Sequence, residues 1–519
     1  MSEAPRSPGQ NMTGTAALNA ATSLGARVAG MIVGIALTPF VLRGMGRELY
    51  GISATAGSVL EYLWLLRGGL GTGMRRFVTV NWHGGDREKA NRYWAAGFWW
   101  SAILRLAVVG TGIALSRFLC TFLKVSPNLV TDAVGGMILI FLSAGVMDVG
   151  AIFEVPTYVT GQVSRISLVR IVQPLLRVAF VVPAFLLFVP SLRVYAAAAL
   201  LAEIVATAAL AVIASRQRVV DHILPPPEFG DPEVRKALFA FSGLGLLSQA
   251  AAILYLATDN LLIGRIYGPS RVTEYSLGTR WAPMIQGFLW AGVSALTPLL
   301  TQMEAQGDLE RTRRAVLRSG AIITAIGVPM CLVPCVVGDV FLARWVGPEY
   351  SHCVAYMMAM LLPMVIGIPL EPMWMAMMAR GQIGWIAVGD VIAAVANPLL
   401  SLLLALQFGL GPLGFALGNT IAYLAKTLLL RPLLNRGEHA LPPVHTALAV
   451  LPRALAGAAP ALALLWFTKP WYGGSLATVL GAGFVGGLLC LAGTTLATVG
   501  LADTRHILGS LRTRLRRGR

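Results

Sequence analysis

Apolar blocks of about 20 residues recur along the chain from its N-terminal region to residue 500, separated by short loops that contain much of the charge. A block of that length crosses the roughly 30 Å hydrocarbon core of a bilayer as one α-helix. The alternating segments of about ten residues that mark a membrane β-barrel do not occur. The composition agrees, because 56% of the residues are hydrophobic and 13% are charged. The sequence therefore predicts an all-α integral membrane protein.

About fourteen transmembrane helices are predicted from these blocks. Their centres lie near residues 30, 60, 107, 140, 178, 203, 250, 287, 328, 362, 395, 421, 457 and 487. Lysine and arginine concentrate in alternate loops and in the basic C-terminal segment, and such residues favour the cytoplasmic side. This asymmetry and the even number of spans predict that both termini are cytoplasmic. The net charge of +17 then reflects membrane topology and not nucleic-acid binding.

An internal repeat divides the predicted helices into two lobes. "VLRGMGRELYG" resembles "IGRIYGPSRVTEY", and "GGDREKANRYWAAG" resembles "QGDLERTRRAVLRSG", so that Arg43 matches Arg265 and Gly85 matches Gly307, with an offset of 222 residues in both pairs. Duplicated six-helix lobes in parallel orientation are therefore predicted, with a substrate site between them near the bilayer midplane. The predicted segments are a cytoplasmic tail (1–16), the N-lobe with helices one to six (17–215), a cytoplasmic inter-lobe linker (216–235), the C-lobe with helices seven to twelve (236–435), helices thirteen and fourteen (446–500), and a basic cytoplasmic tail (501–519).

Ionisable residues inside the apolar helices are candidates for function. A charge at the bilayer centre costs at least about 2.5–3.5 kcal/mol, so it is expected to face water, a partner or a substrate. The basic members of this set are Arg27, Arg67, Arg105, Arg177 and Arg280, and the acidic members are Glu61, Asp148, Glu203, Asp259, Glu371 and Asp390. Several arginines in one cavity favour an anionic substrate, because guanidinium groups match phosphate geometry and stay charged.

Three arginines and two polar neighbours are the predicted substrate-binding residues. Asn19, Ser23 and Arg27 follow one another at four-residue spacing and share one face of the first helix, which lines either a cavity or a helix–helix hydrogen-bond seam. Arg67 lies six residues after Glu61, too far round the helix for a simple pair, in a glycine-rich stretch. Arg280 is on the eighth helix, the counterpart of the second helix in the opposite lobe.

The remaining ionisable residues have open alternatives. Glu203, Asp259 and Asp390 either bind a coupling ion or pair with arginines. Arg105 and Arg177 either snorkel or pair structurally. Arg75 and Arg76 are predicted to be cytoplasmic anchors at the end of helix two. The five cysteines are in or beside apolar segments, which indicates buried structural thiols.

Motifs for catalysis are missing from the sequence. It has no Walker-type G-x-x-x-x-G-K-[ST], no paired Cys/His ligand cluster and no long outside loop rich in acidic residues. We therefore expect a protein that is not an enzyme and that needs no cofactor and no metal. Transport without an ATP site implies that an ion gradient, the membrane potential or the substrate gradient supplies the energy.

Several segments together resemble the polysaccharide-transporter branch, which includes Wzx-type flippases, of the multidrug/oligosaccharidyl-lipid/polysaccharide (MOP) exporter superfamily. They are "TPFVLRGMGRELYGI", "LLRGGLGTGMRRF", "ATDNLLIGRIYGPSRVTEYSLGTR", "LTPLLTQMEAQGDLERTRR" and "RWVGPEY", and the resemblance covers nearly the whole chain. It implies a MATE-like fold of two lobes around a cavity. Cavity arginines of related flippases engage a diphosphate, and here Arg27, Arg67 and Arg280 occupy comparable segments.

The resemblance also implies a function. It is the alternating-access translocation of an undecaprenyl-diphosphate-linked oligosaccharide, an O-antigen, capsule or exopolysaccharide unit, across the bacterial inner membrane. The implied partners are this lipid-linked oligosaccharide, the bilayer and the polysaccharide polymerase or export machinery. The family's second helix commonly reads leucine-aspartate-x-glycine, where this chain has Arg67 after Leu66. The alternatives are a lipid II flippase, which would use the same physics, a cation-coupled drug exporter, which would present acids to its cavity, and a scaffold without transport.

Overall fold

The fold is taken from a computed structural model, which describes residues 8–67, 69–243, 246–294, 300–303, 306–379, 383–434 and 443–500. The described chain consists of helices joined by short loops and turns, and no β-strand occurs in these ranges. It divides into two compact units, Met1–Thr273 and Glu274–Arg519.

Among the residues that the structure describes, the first unit contains eight helices and the start of a ninth. Helix α1 is interrupted at Gly46, whose φ of 79° and ψ of 167° are not helical. A 3-10 turn, Trp64–Arg67, follows α1 and precedes α2. The bounds are α1 (Pro8–Leu63), α2 (Leu70–His83), α3 (Arg87–Phe122), α4 (Val130–Val159), α5 (Val163–Leu187), α6 (Leu192–Ser215), α7 (Pro232–Gly243), α8 (Leu246–Tyr267) and α9 (Pro269–Thr279).

The second unit contains the remaining long helices of the described residues, and two four-residue helices, Arg431–Leu434 and Lys469–Tyr472. Two of the long helices, α14 and α15, continue as π-helical turns, and α12 follows a 3-10 segment at Pro348–Cys353. The bounds are α10 (Trp281–Ser294), α11 (Leu309–Trp345), α12 (Val354–Gly367), α13 (Glu371–Ala379), α14 (Ile383–Leu402), α15 (Pro412–Ala425), α16 (Pro443–Phe467) and α17 (Leu476–Val499).

The helices agree with the predicted transmembrane spans. In the described ranges, 11 helices are long and apolar enough to cross a membrane. The first of these, Leu18–Leu63, has 46 residues, or roughly 70 Å at 1.5 Å per residue, which is enough for two crossings on either side of the Gly46 break. Helices α8 and α10 are outside the eleven and contain the predicted centres near 250 and 287. All predicted centres fall within helices, so the all-α membrane fold is confirmed and the count agrees with about fourteen spans.

The two copies of the sequence repeat share local backbone conformation. Gly46 and Gly268 both have positive φ, at 79° and 87°, as do Gly85 and Gly307, at 84° and 69°. Glycine adopts this region without the steric cost that other residues meet. The aspartate after the second glycine caps the next helix in each copy, because Asp86 accepts from the Lys89 backbone N–H at 2.9 Å and Asp308 from that of Arg311 at 3.0 Å. The similarity detected at an offset of 222 residues therefore extends to structure.

The predicted inter-lobe linker, 216–235, packs inside the first unit along α3. Three tryptophan indoles of α3 donate hydrogen bonds of 3.0–3.1 Å to its backbone carbonyls, namely Trp94 to His222, Trp99 to both Pro225 and Pro226, and Trp100 to Phe229. Prolines provide acceptors without competing N–H donors, which suits this arrangement. The linker is a docked segment and not a loose connection.

Helix α8 belongs to the first compact unit, although the predicted boundaries assign it to the C-lobe. Its polar side chains pair with α1, because Asn260 donates to Ser58 Oγ at 2.9 Å and the Tyr62 hydroxyl is hydrogen-bonded to Thr258. Interhelical hydrogen bonds of this kind hold helices together where water is absent. The compact unit therefore ends within α9, at Thr273, and not in the proline-rich linker.

Candidate functional site

A cavity of about 590 Å³ opens within the first unit, between α2, α3, α4, α5 and α6. We call it the first cavity. Its volume is in the range of about 300–1,000 Å³ that ligand pockets commonly have. Its charged lining residues are Arg75, Arg105, Arg170, Asp148, Glu154 and Glu203. The wall thus carries three arginines and three carboxyl groups, and not the predominantly cationic set that the arginines in the sequence suggested.

Glu154 on α4 is the centre of one charged group in this cavity. Its carboxylate accepts two hydrogen bonds from Arg170 of α5, from Nε at 2.9 Å and from Nη2 at 2.6 Å. Arg75 Nη2 is 3.9 Å from the other carboxylate oxygen. The Glu154 side chain is 8% exposed, whereas those of Arg75 and Arg170 are 39% and 54% exposed. A buried carboxylate therefore holds two arginines that remain accessible from the cavity.

The interruption of the helix before α2 determines the position of Arg75. The 3-10 turn ends at Arg67, and α2 begins anew at Leu70 with Gly69 as its N-cap residue. This new helix places Arg75 in the cavity wall, with its guanidinium carbon 5.8 Å from the centre of the Tyr158 ring. The sequence did not predict this place in the cavity wall, and the cytoplasmic location of Arg75 stays a prediction. The neighbouring Arg76 is exposed and does not line the first cavity.

Glu203 on α6 is the centre of a second charged group. It accepts from Gln173 Nε2 at 2.6 Å and from Arg177 Nη2 at 3.0 Å, both on α5. The Glu203 side chain is 4% exposed and that of Arg177 is 35% exposed. The sequence left open whether Glu203 binds a coupling ion or pairs with an arginine. In the structure it pairs with Arg177.

A second, smaller cavity of about 220 Å³ adjoins the first. Met147 and Glu203 line both cavities. Arg177 lines only the second cavity, and its Nε atom is buried without a hydrogen-bond partner in the part of the chain that the structure describes. Aromatic side chains, Trp64 and Tyr195, complete part of its wall.

Arg105 on α3 and Asp148 on α4 also line the first cavity. Both are buried, with 9% and 2% of their surfaces exposed. The sequence identified both as ionisable residues within spans and nominated neither for binding. A charge inside the membrane is costly to insert, so residues of this kind are expected to face a cavity or a partner, and these two line a cavity.

Two of the nominated residues, Asn19 and Ser23, form a seam between α1 and the start of α5. Asn19 donates to the Gly161 carbonyl and accepts from the Ser164 backbone N–H, both at 2.8 Å. Ser23 Oγ is 3.1 Å from Ser167 Oγ. These contacts match the helix–helix seam that the sequence left open as an alternative, and neither residue lines the first cavity.

The other nominated residues are dispersed. Arg27 is exposed on α1, and the Arg67 side chain lies outside the side chains that the structure describes. Asp259 is 1% exposed on α8. In the second unit, Arg280 lies between α9 and α10 with its guanidinium carbon 5.8 Å from the centre of the Trp345 ring, and Asp390 is 3.5 Å from Lys426 Nζ.

Sequence reasoning missed three cavity residues, Glu154, Arg170 and Gln173. Glu154 did carry a usable signal, because it is an ionisable residue inside the apolar stretch "GAIFEVPTY" of a predicted span. Arg170 follows Arg165 closely and was not separated from the loop arginines that report topology. Within the described ranges, no group of three or more His, Cys, Asp or Glu side chains could hold a metal ion.

Comparison with known proteins agrees with the fold. Residues 151–355, which include Glu154, Arg170 and Glu203, match the model of a family described as "Polysaccharide biosynthesis protein". Over 435 residues the chain is 23% identical to "Uncharacterized membrane protein EpsK" of Bacillus subtilis (strain 168), covering 80% of this chain and 82% of that protein.

Similar solved structures include a flippase and several transporters. "Lipid II flippase MurJ, inward closed conformation" superposes with a TM-score of 0.70 at 12% identity, over 92% of this chain and 98% of that one. An inward-facing multidrug resistance MATE family transporter of the MOP superfamily gives 0.68 at 15% identity, over 79% and 96%. A mutant of the Vibrio cholerae MATE transporter VcmN gives 0.56 at 16% identity, over 82% and 99%.

The long apolar helices define a multi-pass membrane protein. Part of the chain thus resembles a family of polysaccharide biosynthesis proteins, most of its length resembles EpsK, and its fold is that of the MATE and MurJ structures, as the predicted MATE-like fold requires. The similar solved structures are a flippase and transporters, whereas the family is described only by its part in polysaccharide biosynthesis.

Proposed function

We propose that the protein is a flippase that moves an undecaprenyl-diphosphate-linked oligosaccharide, a unit of O-antigen, capsule or exopolysaccharide, across the bacterial inner membrane by alternating access. The diphosphate would bind in the first cavity while the polyprenyl chain stays in lipid. Both termini would be cytoplasmic, and the product would pass to the polymerase or export machinery. The observation that carries the proposal is the pair of accessible arginines, Arg75 and Arg170, held in the cavity wall by Glu154.

The geometry suits an oxyanion with several oxygens. A guanidinium has more N–H donors than the two that Arg170 gives to Glu154, and its planar fork binds phosphate oxygens in pairs. Arg75 Nε is buried and makes no hydrogen bond in the described part of the chain. Both side chains therefore have donors to offer to a phosphate without leaving Glu154.

The carboxylates of the wall favour release as well as binding. A transporter must let its substrate go on the far side, and a site with arginines alone would hold a diphosphate tightly. Here Glu154 competes with the phosphate for the guanidinium groups of Arg75 and Arg170. A cavity of balanced charge thus supports transport of an anion better than its permanent capture.

The nominated residues outside the first cavity retain proposed roles. We propose that Arg67 and Arg280, from the segments that the family resemblance identified, contact the diphosphate at other stages of the cycle. The seam formed by Asn19 and Ser23 would then set the position of Arg27 on α1. Asp259 and Asp390 remain proposed ion-coupling or charge-pair residues.

Deletion of the gene and complementation with variants test the proposal in cells. Deletion should abolish the surface polysaccharide and cause the lipid-linked unit to accumulate in the inner leaflet. The wild-type gene should restore both, R75A/R170A should restore neither, and R76A, a matched arginine on the same helix but outside the cavity, should restore both. Normal surface polysaccharide after deletion would refute the proposal. Lysis on depletion would instead favour lipid II as the substrate, and drug sensitivity alone would favour a drug exporter.

A further inference from the structure

The second cavity has a chemistry different from that of the first. Apart from the Arg177–Glu203 pair, its side chains are uncharged, and they comprise aliphatic groups, two aromatic rings and the hydroxyls of Ser53 and Ser143. Its volume of about 220 Å³ is below the range of about 300–1,000 Å³ typical of pockets for drug-sized ligands. It has room for one small ring and not for an oligosaccharide.

We propose that the second cavity is a monosaccharide subsite, which binds the sugar attached directly to the phosphate. The proposal rests on the proposed function, since the first cavity is the site for the diphosphate. The first sugar of such a lipid is bonded to the phosphate, so its subsite must adjoin the phosphate site. Met147 and Glu203 line both cavities and provide that continuity.

Three lining residues match the two kinds of surface that a pyranose presents. One face of the ring is covered with C–H groups and packs on an aromatic ring, for which Trp64 is the largest available surface. The rim of the ring carries hydroxyls, which need donors and acceptors. Tyr195 offers a hydroxyl, and Arg177 offers the buried Nε–H that has no hydrogen-bond partner in the described residues.

Arg177 is anchored for this role by Glu203. Its Nη2 atom donates to the carboxylate at 3.0 Å, while its buried Nε atom has no hydrogen-bond partner among the described residues. A buried donor without an acceptor costs free energy, and a sugar hydroxyl at that point would recover it. The same side chain thereby links the charge pair between α5 and α6 to the sugar.

Binding to the full chain in lipid nanodiscs tests the subsite. The probes are undecaprenyl diphosphate and the same lipid carrying N-acetylglucosamine or galactose, with Kd measured by microscale thermophoresis. Because ring-face packing tolerates different hydroxyl configurations, the wild type should bind both sugar-bearing lipids about tenfold more tightly than the bare diphosphate. W64A should remove this gain and leave the Kd for undecaprenyl diphosphate within about twofold, whereas W64F should retain part of the gain.

Two further variants make the test specific. R177K keeps a charge for Glu203 but removes the Nε–H donor, so it should reduce the sugar-dependent gain. W471A, at a tryptophan that is 83% exposed, should bind all three lipids as the wild type does. Equal affinity of the wild type for the three lipids, or an equal loss for all three in W64A, would overturn the subsite. Failure of the wild type to bind any of them would overturn the proposed function itself.

Discussion

Arg170 donates two hydrogen bonds to a single carboxylate oxygen of Glu154, from Nε at 2.9 Å and from Nη2 at 2.6 Å. The two residues are on adjacent helices, α5 and α4, and the Glu154 side chain is 8% exposed while that of Arg170 is 54% exposed. A buried anion thus orients a cation at the surface of the cavity. The proposed phosphate site depends on this relationship.

A double-mutant cycle on this pair should give a coupling free energy. We expect R170A and E154A each to lower transport, and R170A to lower stability more, since it leaves the buried Glu154 with only Arg75, 3.9 Å away, as a charged partner among the described residues, whereas E154A leaves two arginines that are partly exposed. Their interaction energy should be about 1–2 kcal/mol, in the lower part of the range for contacting residues because water screens Arg170. Unfolding of the purified variants measures it. Strict additivity of the two substitutions would show that the contact contributes nothing.

The Arg177–Glu203 pair should respond differently when one partner or both are removed. R177M leaves Glu203, which is 4% exposed, with Gln173 as its remaining hydrogen-bond donor among the described contacts, and should cost about 1–3 kcal/mol of stability, less than a fully buried pair because Arg177 is 35% exposed. R177M/E203M should recover most of that loss, since no buried charge is left. Thermal unfolding midpoints of the purified proteins check this order. A double variant less stable than R177M would contradict it.

The crossing of α16 and α17 in the second unit depends on two glycines. A Cβ at Gly493 would be 2.1 Å from the Gly457 carbonyl oxygen, so only glycine allows this approach. G493A should therefore separate the helices and cost about 1–3 kcal/mol. On the same helix, a Cβ at Gly487 would meet no atom within 4 Å, and G487A should leave the unfolding midpoint unchanged or slightly raised. Equal effects of the two substitutions would count against the close crossing.

The docked linker should resist proteolysis as long as the indole donors are present. W99F/W100F removes two indole N–H donors, of which that of Trp99 is shared between two linker carbonyls; each donor is worth about 1 kcal/mol, and the substitution keeps aromatic packing. Trypsin should then cleave at the exposed Arg218 about tenfold to a hundredfold faster, because the linker opens locally more often. W82F is the control, since Trp82 Nε1 has no hydrogen-bond partner in the described residues. Cleavage at an unchanged rate in W99F/W100F would mean that other contacts hold the linker.

The sequence predicted the helices well because hydropathy and length are local properties. All fourteen predicted centres lie within helices, and the Gly-Asp pairs at 85–86 and 307–308 predicted two equivalent helix starts. The extent of the first compact unit was not predictable in the same way. It depends on contacts such as Asn260 with Ser58, which are 202 residues apart.

The sequence predicted the type of residue that lines the candidate site, but not which residues come together there. Intramembrane charges do line the cavity, yet the pairs that build it, such as Arg177 with Glu203, join different helices and have no fixed sequence spacing. The sequence did not predict that Arg75 lines the cavity, because an arginine beside a predicted loop is usually a topology signal and the helix break before Leu70 is not visible in the hydropathy. Asn19 and Ser23 are the opposite case, because they were nominated for the cavity and do not line it. A polar stripe on a helix can form a hydrogen-bonded seam with another helix as well as a cavity wall.

Flipping by the purified protein in proteoliposomes tests the central claim most directly. The assay follows a fluorescent undecaprenyl-diphosphate-linked saccharide as it moves between leaflets, with wild type, R75A/R170A and R76A reconstituted at equal density. The account predicts rapid flipping by the wild type and by R76A, and a loss of about tenfold or more in R75A/R170A, since each arginine removed takes with it charge-assisted hydrogen bonds to phosphate. Flipping by R75A/R170A at the wild-type rate would contradict it.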